Sequence, residues 1–383
     1  MFSNSRTIPV SILLLFPLLG SGCATTQGPQ DVRLTSSASA SEAGMPSTSA
    51  APGKSGIADR SFGRKEEILL SRIRDELDSG RPVQPERAVR LIELMPDSSY
   101  ARYLAGSIYL NNGDLDNARI ELMRSHELDQ ANDHALSALG DIAFMTGDFT
   151  GADLYYSKAH EAAATPETAN RLALLRIQGG YLESARDILA ITLSAHPDDV
   201  MTRNNLAIAM DMMGTASEGI DILSSDEITD PRLLSTRALL RLKEGRPDKA
   251  AADLEAGFET GSTAEKWLLM GIADLQQGKL EQAEDRFRSA LAAEPSGYEG
   301  YLNLGLTLRR QGRFSEAEKV YLEGLSRAPY PDLHMNLGIL YELYRGEPSL
   351  ALEQYRQYLK LGGPAAERVR GWAEYLEGVV GAN

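Results

Sequence analysis

Eight glycines, at positions 113, 147, 180, 214, 245, 278, 312 and 346, are each followed five residues later by a small residue: Ala118, Ala152, Ala185, Gly219, Ala250, Ala283, Ala317 and Ala351. Both columns advance together by 34, 33, 34, 31, 33, 34 and 34 residues. Self-similarity at such a period marks one supersecondary unit stacked on copies of itself. Glycine supplies the left-handed turn that joins two helices, and the small residue lets them approach closely. With the first unit starting at Ser99, position 8 is small in every unit: Gly106, Gly140, Ala173, Ala207, Ala238, Gly271, Gly305 and Gly338. Position 24 is bulky: Leu122, Tyr156, Leu189, Leu223, Leu254, Phe287, Tyr321 and Tyr355.

The stretch from Ala264 to Pro295 states the pattern most fully, with Trp267, Met270, Gly271, Gly278, Ala283, Phe287, Ala290 and Pro295 at positions 4, 7, 8, 15, 20, 24, 27 and 32. It resembles the tetratricopeptide repeat (TPR), a helix–turn–helix unit of about 34 residues. The resemblance implies an all-α fold, a right-handed α-solenoid of such hairpins, over residues 99–363. Residues 64–98 hold a further helical hairpin, Arg64 to Ser79 and Gln84 to Met95, whose spacing diverges from the repeat. Its expected apolar stripes are Ile68, Leu69, Ile73 and Leu77, then Val89, Ile92 and Leu94. Residues 364–383 supply a last helix with Val369, Trp372, Leu376 and Val379 on one face, as a solenoid needs to cover its open end. Trp372 as a partner-binding residue is the sharper alternative. Units four and five (about 200–263) depart most from the pattern, with Gly219 inside a helix and a shortened junction at Ser224 to Pro231, so this middle is expected to be soft. The eighth unit carries one extra residue, assigned to its turn at Tyr344 to Pro348.

The chain's one cysteine, Cys23, directly follows an export-like segment. Arg6 precedes an apolar run from Ile8 to Leu19, too short to span a bilayer of about 30 Å, so residues 1–22 read as a signal peptide. The sequence Leu19-Gly20-Ser21-Gly22-Cys23 resembles a bacterial lipobox, which implies that Cys23 is acylated and becomes the mature amino terminus. Ala24 follows it, and by the same resemblance the anchor is in the outer membrane, with the folded part facing the periplasm. Residues 23–63 are rich in Ser, Ala, Thr, Gly and Pro and bury too little to order themselves, so they read as the lipidated Cys and a flexible linker. The Gly53-Lys54-Ser55 triplet lacks the glycine and strand of a phosphate-binding loop.

No enzymatic signature is present, and acidic pairs such as Glu281 and Glu284 are expected on solvated helix faces. His126, His134, His160, His196 and His334 have no metal-ligand spacing, and neither GxGxxG nor GxSxG occurs. The expectation is therefore a non-enzyme with no metal, no cofactor and no small-molecule substrate. A net charge of −15 argues against nucleic acid, since neutralising phosphates takes basic surface.

What the family does offer is a groove lined by the first helix of each unit, mainly by positions 2, 5, 6, 9 and 12. Position 6 is Asn205, Asn303 and Asn336 in units four, seven and eight, where the family's asparagine bonds the backbone of a bound peptide. Elsewhere it is Leu104, Ala138, Arg171, Thr236 and Leu269. The same face carries Met201, Ile208, Leu268, Ile272, Leu275, Leu302, Leu306, Met335 and Ile339, an expected apolar floor, with Arg309 and Arg310 at its edge. The expected role is a protein-protein interaction scaffold that binds a protein or peptide partner in the envelope. Lipoproteins of this build resemble pilus-assembly lipoproteins, which implies help in assembling a pilus- or secretion-type complex. The alternative is an activator or adaptor of a cell-wall enzyme or an energy-transducing envelope system.

Overall fold

All eight turn glycines adopt left-handed backbone, with φ between 66° and 84°, a region strained for any residue bearing a Cβ. The first shows the purpose: Gly113 N–H bonds Leu110 O at 3.0 Å and Asp114 N–H bonds Tyr109 O at 2.9 Å, closing the last helical turn. A computed structural model describes residues 64–224, 230–257 and 263–381, and among these it holds 19 helices and no strand. The expected signal peptide, Cys23 and the linker lie outside the described residues.

The described chain divides into two compact units. The N-terminal unit, residues 64–222, opens with α1 (Arg64–Asp78) and α2 (Glu86–Leu94). Four hairpins follow: α3 (Ser99–Asn111) with α4 (Leu115–Leu128), α5 (Asp133–Met145) with α6 (Phe149–Ala162), α7 (Pro166–Gln178) with α8 (Leu182–Ala195), and α9 (Val200–Met212) with α10 (Ala216–Ile222). The C-terminal unit, residues 223–381, has α11 (Pro231–Lys243) with α12 (Pro247–Ala256), α13 (Ala264–Gln276) with α14 (Leu280–Ala293), and α15 (Tyr298–Arg310) with α16 (Phe314–Arg327). It ends with α17 (Pro331–Ile339), α18 (Pro348–Lys360) and α19 (Ala366–Gly381). From α2 on, each helix packs on the next within its unit, while α1 packs on α3; first helices of successive hairpins also touch one another, so they form the inner side of the stack.

Within a hairpin, positions 8 and 24 fit by size. Gly140 meets Tyr156, Gly271 meets Phe287, Gly305 meets Tyr321 and Gly338 meets Tyr355. A Cβ on any of these glycines would stand 2.3–2.5 Å from a ring carbon. Where position 8 is Ala173 or Ala238, position 24 is the smaller Leu189 or Leu254. Gly106 faces Leu122 as well, so a ring at position 24 goes with glycine at position 8, whereas leucine there is paired with either glycine or alanine.

Three local expectations change. The extra residue of the eighth unit is absorbed before the turn, as a π-helical stretch Leu340–Arg345 that continues α17. One added residue widens a helical turn, which keeps the inner face of α17 in register. In α1 and α2 the apolar stripe is rotated: Leu70, Ile73, Ala88 and Leu91 are buried, while Ile68, Val89 and Leu94 are exposed. The alternation of apolar residues there allows two faces, and packing on α3 selects one. Glu284, expected on a solvated face, is half-buried and pairs with Arg288 at 2.8 Å and Arg313 at 2.5 Å. On α19, Val369 and Leu376 are buried and Trp372 packs on Tyr355 with ring centroids 5.5 Å apart, which gives Trp372 a capping place.

Candidate functional site

The inner rows of the two units treat their polar residues differently. In the N-terminal unit they close on one another. Asn205, buried on α9, donates from Nδ2 to Asn170 Oδ1 at 2.8 Å. Asn170 Nδ2 in turn donates to Pro166 O at 2.7 Å and Thr202 Oγ1 at 2.9 Å. Arg171 pairs with Asp141 and, at 3.3 Å, with Glu167, while the Tyr156 hydroxyl donates to Asp141 at 2.7 Å. Burial, with the Asp141 charge beside it, drives the Tyr156 hydroxyl well above the usual phenol range. Ile208 is half-buried on the same helix as Asn205.

In the C-terminal unit the corresponding row is left short of donors. Asn303 Nδ2 donates to Glu299 O at 2.9 Å, and Asn336 Nδ2 donates to Asp332 O at 2.9 Å. Both side chains are almost wholly buried, and neither Oδ1 has a partner. The amide orientation follows from the chemistry, because reversing it would set two acceptors face to face. Glu299, one turn before Asn303, is 9% exposed. Burial, reinforced by the Glu294 charge, pushes its carboxyl up to about 7, against opposing contacts from its own backbone N–H and Tyr298. At the other end of α15, Arg309 is buried, with Nη1 lacking an acceptor and its guanidinium 5.4 Å from the Tyr344 ring centre. Arg310 is exposed and reaches Leu275 O at 3.4 Å.

The apolar members have a plain place. Leu268, Ile272, Leu302, Leu306, Met335 and Ile339 are all buried and belong to the single apolar cluster that runs through the unit. Two residues that carry this row were not singled out by sequence reasoning, Glu299 and Asp332. A signal for them was present, since position 2 is acidic in three consecutive units: Glu265, Glu299 and Asp332. Asn170 and Thr202 were also missed, for their partners lie about one repeat away. Among the described residues no group of His, Cys, Asp and Glu is placed to hold a metal, and no helix is long and apolar enough to cross a membrane.

Residues 99–132 and residues 268–332 each match a model of the tetratricopeptide repeat. The chain carries tetratricopeptide repeats. One match lies in each unit, and both start within a first helix. No curated protein matches the sequence. Among solved structures, the human IFIT1 dimer with PPP-AAAA is similar at 17% identity, with TM-score 0.55 over 83% of this chain and 86% of that one. The APC/C hetero-tetramer Cut9-Hcn1 is similar at 12% identity, with TM-score 0.52 over 76% of this chain and 58% of that one. A tetratricopeptide repeat protein from Parabacteroides merdae covers 76% of this chain and 98% of its own, at 17% identity and TM-score 0.46. At these identities the likeness to the first two establishes the fold alone, an all-α repeat. TPR stacks are in general non-catalytic and bind protein or peptide partners, so the repeats point to a protein-protein interaction scaffold.

Proposed function

We propose that this protein is a non-catalytic scaffold that holds a segment of a partner protein against the inner face of its C-terminal unit. The observation that carries this reading is the pair of unpartnered carboxamide oxygens on Asn303 and Asn336. A buried acceptor without a donor costs roughly 1–3 kcal/mol, and the backbone N–H groups of an extended segment would supply donors at both. Their 33-residue separation puts them on neighbouring first helices, α15 and α17, which pack on each other. Leu302, Leu306, Met335 and Ile339 surround them with apolar contact, and Arg309 offers a charge for an acidic group. Asn205 belongs to the closed network of the N-terminal unit and plays a structural part in this proposal.

The cellular setting of the proposal rests on the amino-terminal sequence. Acylation at Cys23 would moor the chain to the outer membrane, and the Ser/Ala/Gly-rich residues 24–63 would let the repeats stand off it in the periplasm. There the scaffold would assist assembly of an envelope complex of the pilus or secretion type. Two measurements test these halves separately. Full-length protein crosslinked in envelope extracts should capture one or a few partners, lost on combining Asn303→Phe with Asn336→Phe; capture unchanged by that pair overturns the inner-face reading. Mass spectrometry of the mature amino terminus should find a diacylated cysteine, and Cys23→Ser should move the protein from the membrane to the soluble fraction. An unmodified Cys23 removes the anchor.

A further inference from the structure

Three hairpins carry tyrosine at position 24, each ring lying on the glycine at position 8, and each hydroxyl needs an acceptor once buried. In the second hairpin the Tyr156 hydroxyl donates to Asp141 at 2.7 Å. In the eighth the Tyr355 hydroxyl donates at 2.7 Å to Glu342, which stands at position 12, one helical turn after Gly338. In the seventh Tyr321 lies on Gly305 in the same way, but position 12, one turn after that glycine, is Arg309. Where its neighbour has an acid, this hairpin has a second donor. Burial drives the Tyr321 hydroxyl above the usual phenol range, against the pull of the Arg309 charge beside it, so it stays a neutral donor. The hydroxyl and Arg309 Nη1 are both enclosed without a partner, and no described carboxylate pairs with Arg309. Tyr321 is wholly buried and Arg309 is 6% exposed. The acceptor that the other two tyrosines find inside the chain is missing here.

We propose that a carboxylate on an acidic side chain of the bound partner supplies it, seated between the Arg309 guanidinium and the Tyr321 hydroxyl. A guanidinium presents a planar fork of N–H donors that matches the two oxygens of a carboxylate, and the phenol adds one further donor. Enclosing a guanidinium without a counter-charge is costly, so an anion here meets a need that the chain leaves open. The seat lies just beneath the surface. Tyr344, whose ring centre is 5.4 Å from the guanidinium and 5.0 Å from that of Phe314, is 46% exposed, and turning it aside uncovers Arg309. Tyr344 belongs to the π-helical stretch Leu340–Arg345, where the eighth unit takes in its extra residue. Such stretches are frequent at functional sites, and this one sets a ring over the unmatched charge. Arg309 follows Leu302 and Leu306 along one face of α15, so the inference rests on the reading of that inner face as the partner site and names the side chain that it selects.

The test uses full-length protein and a phage-displayed library of random dodecapeptides, followed by fluorescence polarisation with the strongest binder. Selected peptides should be enriched in aspartate or glutamate, and exchanging that acid for its amide should weaken binding by roughly tenfold or more, the expected size of a charge-assisted bond. The same exchange should have less than about a twofold effect on the Arg309→Gln protein, where the charge partner is gone, and Arg309→Lys should restore part of it. Tyr321→Phe keeps the ring on Gly305 and removes only the hydroxyl, as Phe287 does on Gly271, so it keeps the fold; it should weaken the acidic peptide several-fold more than its amide counterpart. Peptides lost on combining Asn303→Phe with Asn336→Phe, yet indifferent to Arg309 and Tyr321, overturn this inference and leave the inner-face site standing. Peptides indifferent to all four residues, or no binders at all, overturn both.

Discussion

The two units share one repeat pattern yet are stabilised differently. In the N-terminal unit the buried apolar residues fall into three separate clusters, whereas in the C-terminal unit one cluster runs from Ala238 to Leu376. The N-terminal unit compensates with local polar order. Ser98, Asn132, Thr165 and Asp199 each cap a first helix through a side chain; in the C-terminal unit Asp230 and Thr263 cap α11 and α13, but α15 and α17 start at Gly297 and Tyr330 with no such cap. The inner rows divide in the same way. Arg171, Asp141, Asn170 and Asn205 answer one another, but Asn303 and Asn336 keep free acceptors. Each unit buries some polar atoms without a partner, His126 Nδ1 and Arg171 Nε in the N-terminal unit, but only in the C-terminal unit do they fall on the position-6 asparagines of consecutive hairpins.

The comparison breaks most sharply at its buried charges. Removing one partner of a buried pair leaves an uncompensated charge, so Arg171→Ala should destabilise the N-terminal unit by about 3–5 kcal/mol, read by denaturant titration. Exchanging Arg171 and Asp141 together for methionine and leucine should cost far less, and an equal loss in both variants would mean the pair acts through something other than charge. In the C-terminal unit the matching experiment concerns volume. Gly305→Ala would drive a Cβ to 2.3 Å from the Tyr321 ring, an overpacking that costs roughly 1–3 kcal/mol. Adding Tyr321→Leu should recover part of that loss, because alanine opposite leucine is the pairing used at Ala173 and Leu189. Strictly additive effects in that cycle would refute the volume exchange.

Glu299 sharpens the comparison through pH. Its carboxyl is raised to about 7 in the fold, above its ordinary value of 4.5, so the folded state binds the proton more tightly than the unfolded chain does. Its burden on stability is therefore greatest above pH 7 and disappears as pH falls towards 4.5. Glu299→Gln should stabilise the protein by up to about 3 kcal/mol at pH 8, with the advantage fading to nothing near pH 4. A pH-independent gain would show that shape, not ionisation, is responsible. The smallest single effect is expected at one of the asparagines. Asn205→Leu strands the Asn170 acceptor and should cost about 1–3 kcal/mol, whereas Asn303→Leu removes an unmet acceptor and should be within about 1 kcal/mol of neutral. Equal losses at the two sites would erase the distinction between the rows.

Much of the fold was legible because its signals are local. A turn glycine, a small residue five places on and a bulky one four places further all report on a single hairpin, where the helix geometry converts sequence separation directly into distance. The candidate site was legible in part. Asn205, Asn303 and Asn336 occupy one position of the repeat, and nothing within a hairpin distinguishes the amide that is satisfied from the two that are not. That depends on whether a neighbour about 35 residues earlier, Asn170 for Asn205, is present and turned the right way.

By itself the sequence determined the period of the repeat, which glycines close the turns and which small and bulky residues face each other across a hairpin, since each is set by groups within one repeat. Only the tertiary structure decided that the added residue near Gly346 enters a π-helical turn, that α1 and α2 bury Leu70 and Leu91 in place of Ile68 and Leu94, and that one inner row closes while the other lacks donors. The reason is the same in each case. Relations between hairpins depend on rotation and reach across a packed interface, and a repeating pattern is silent about both.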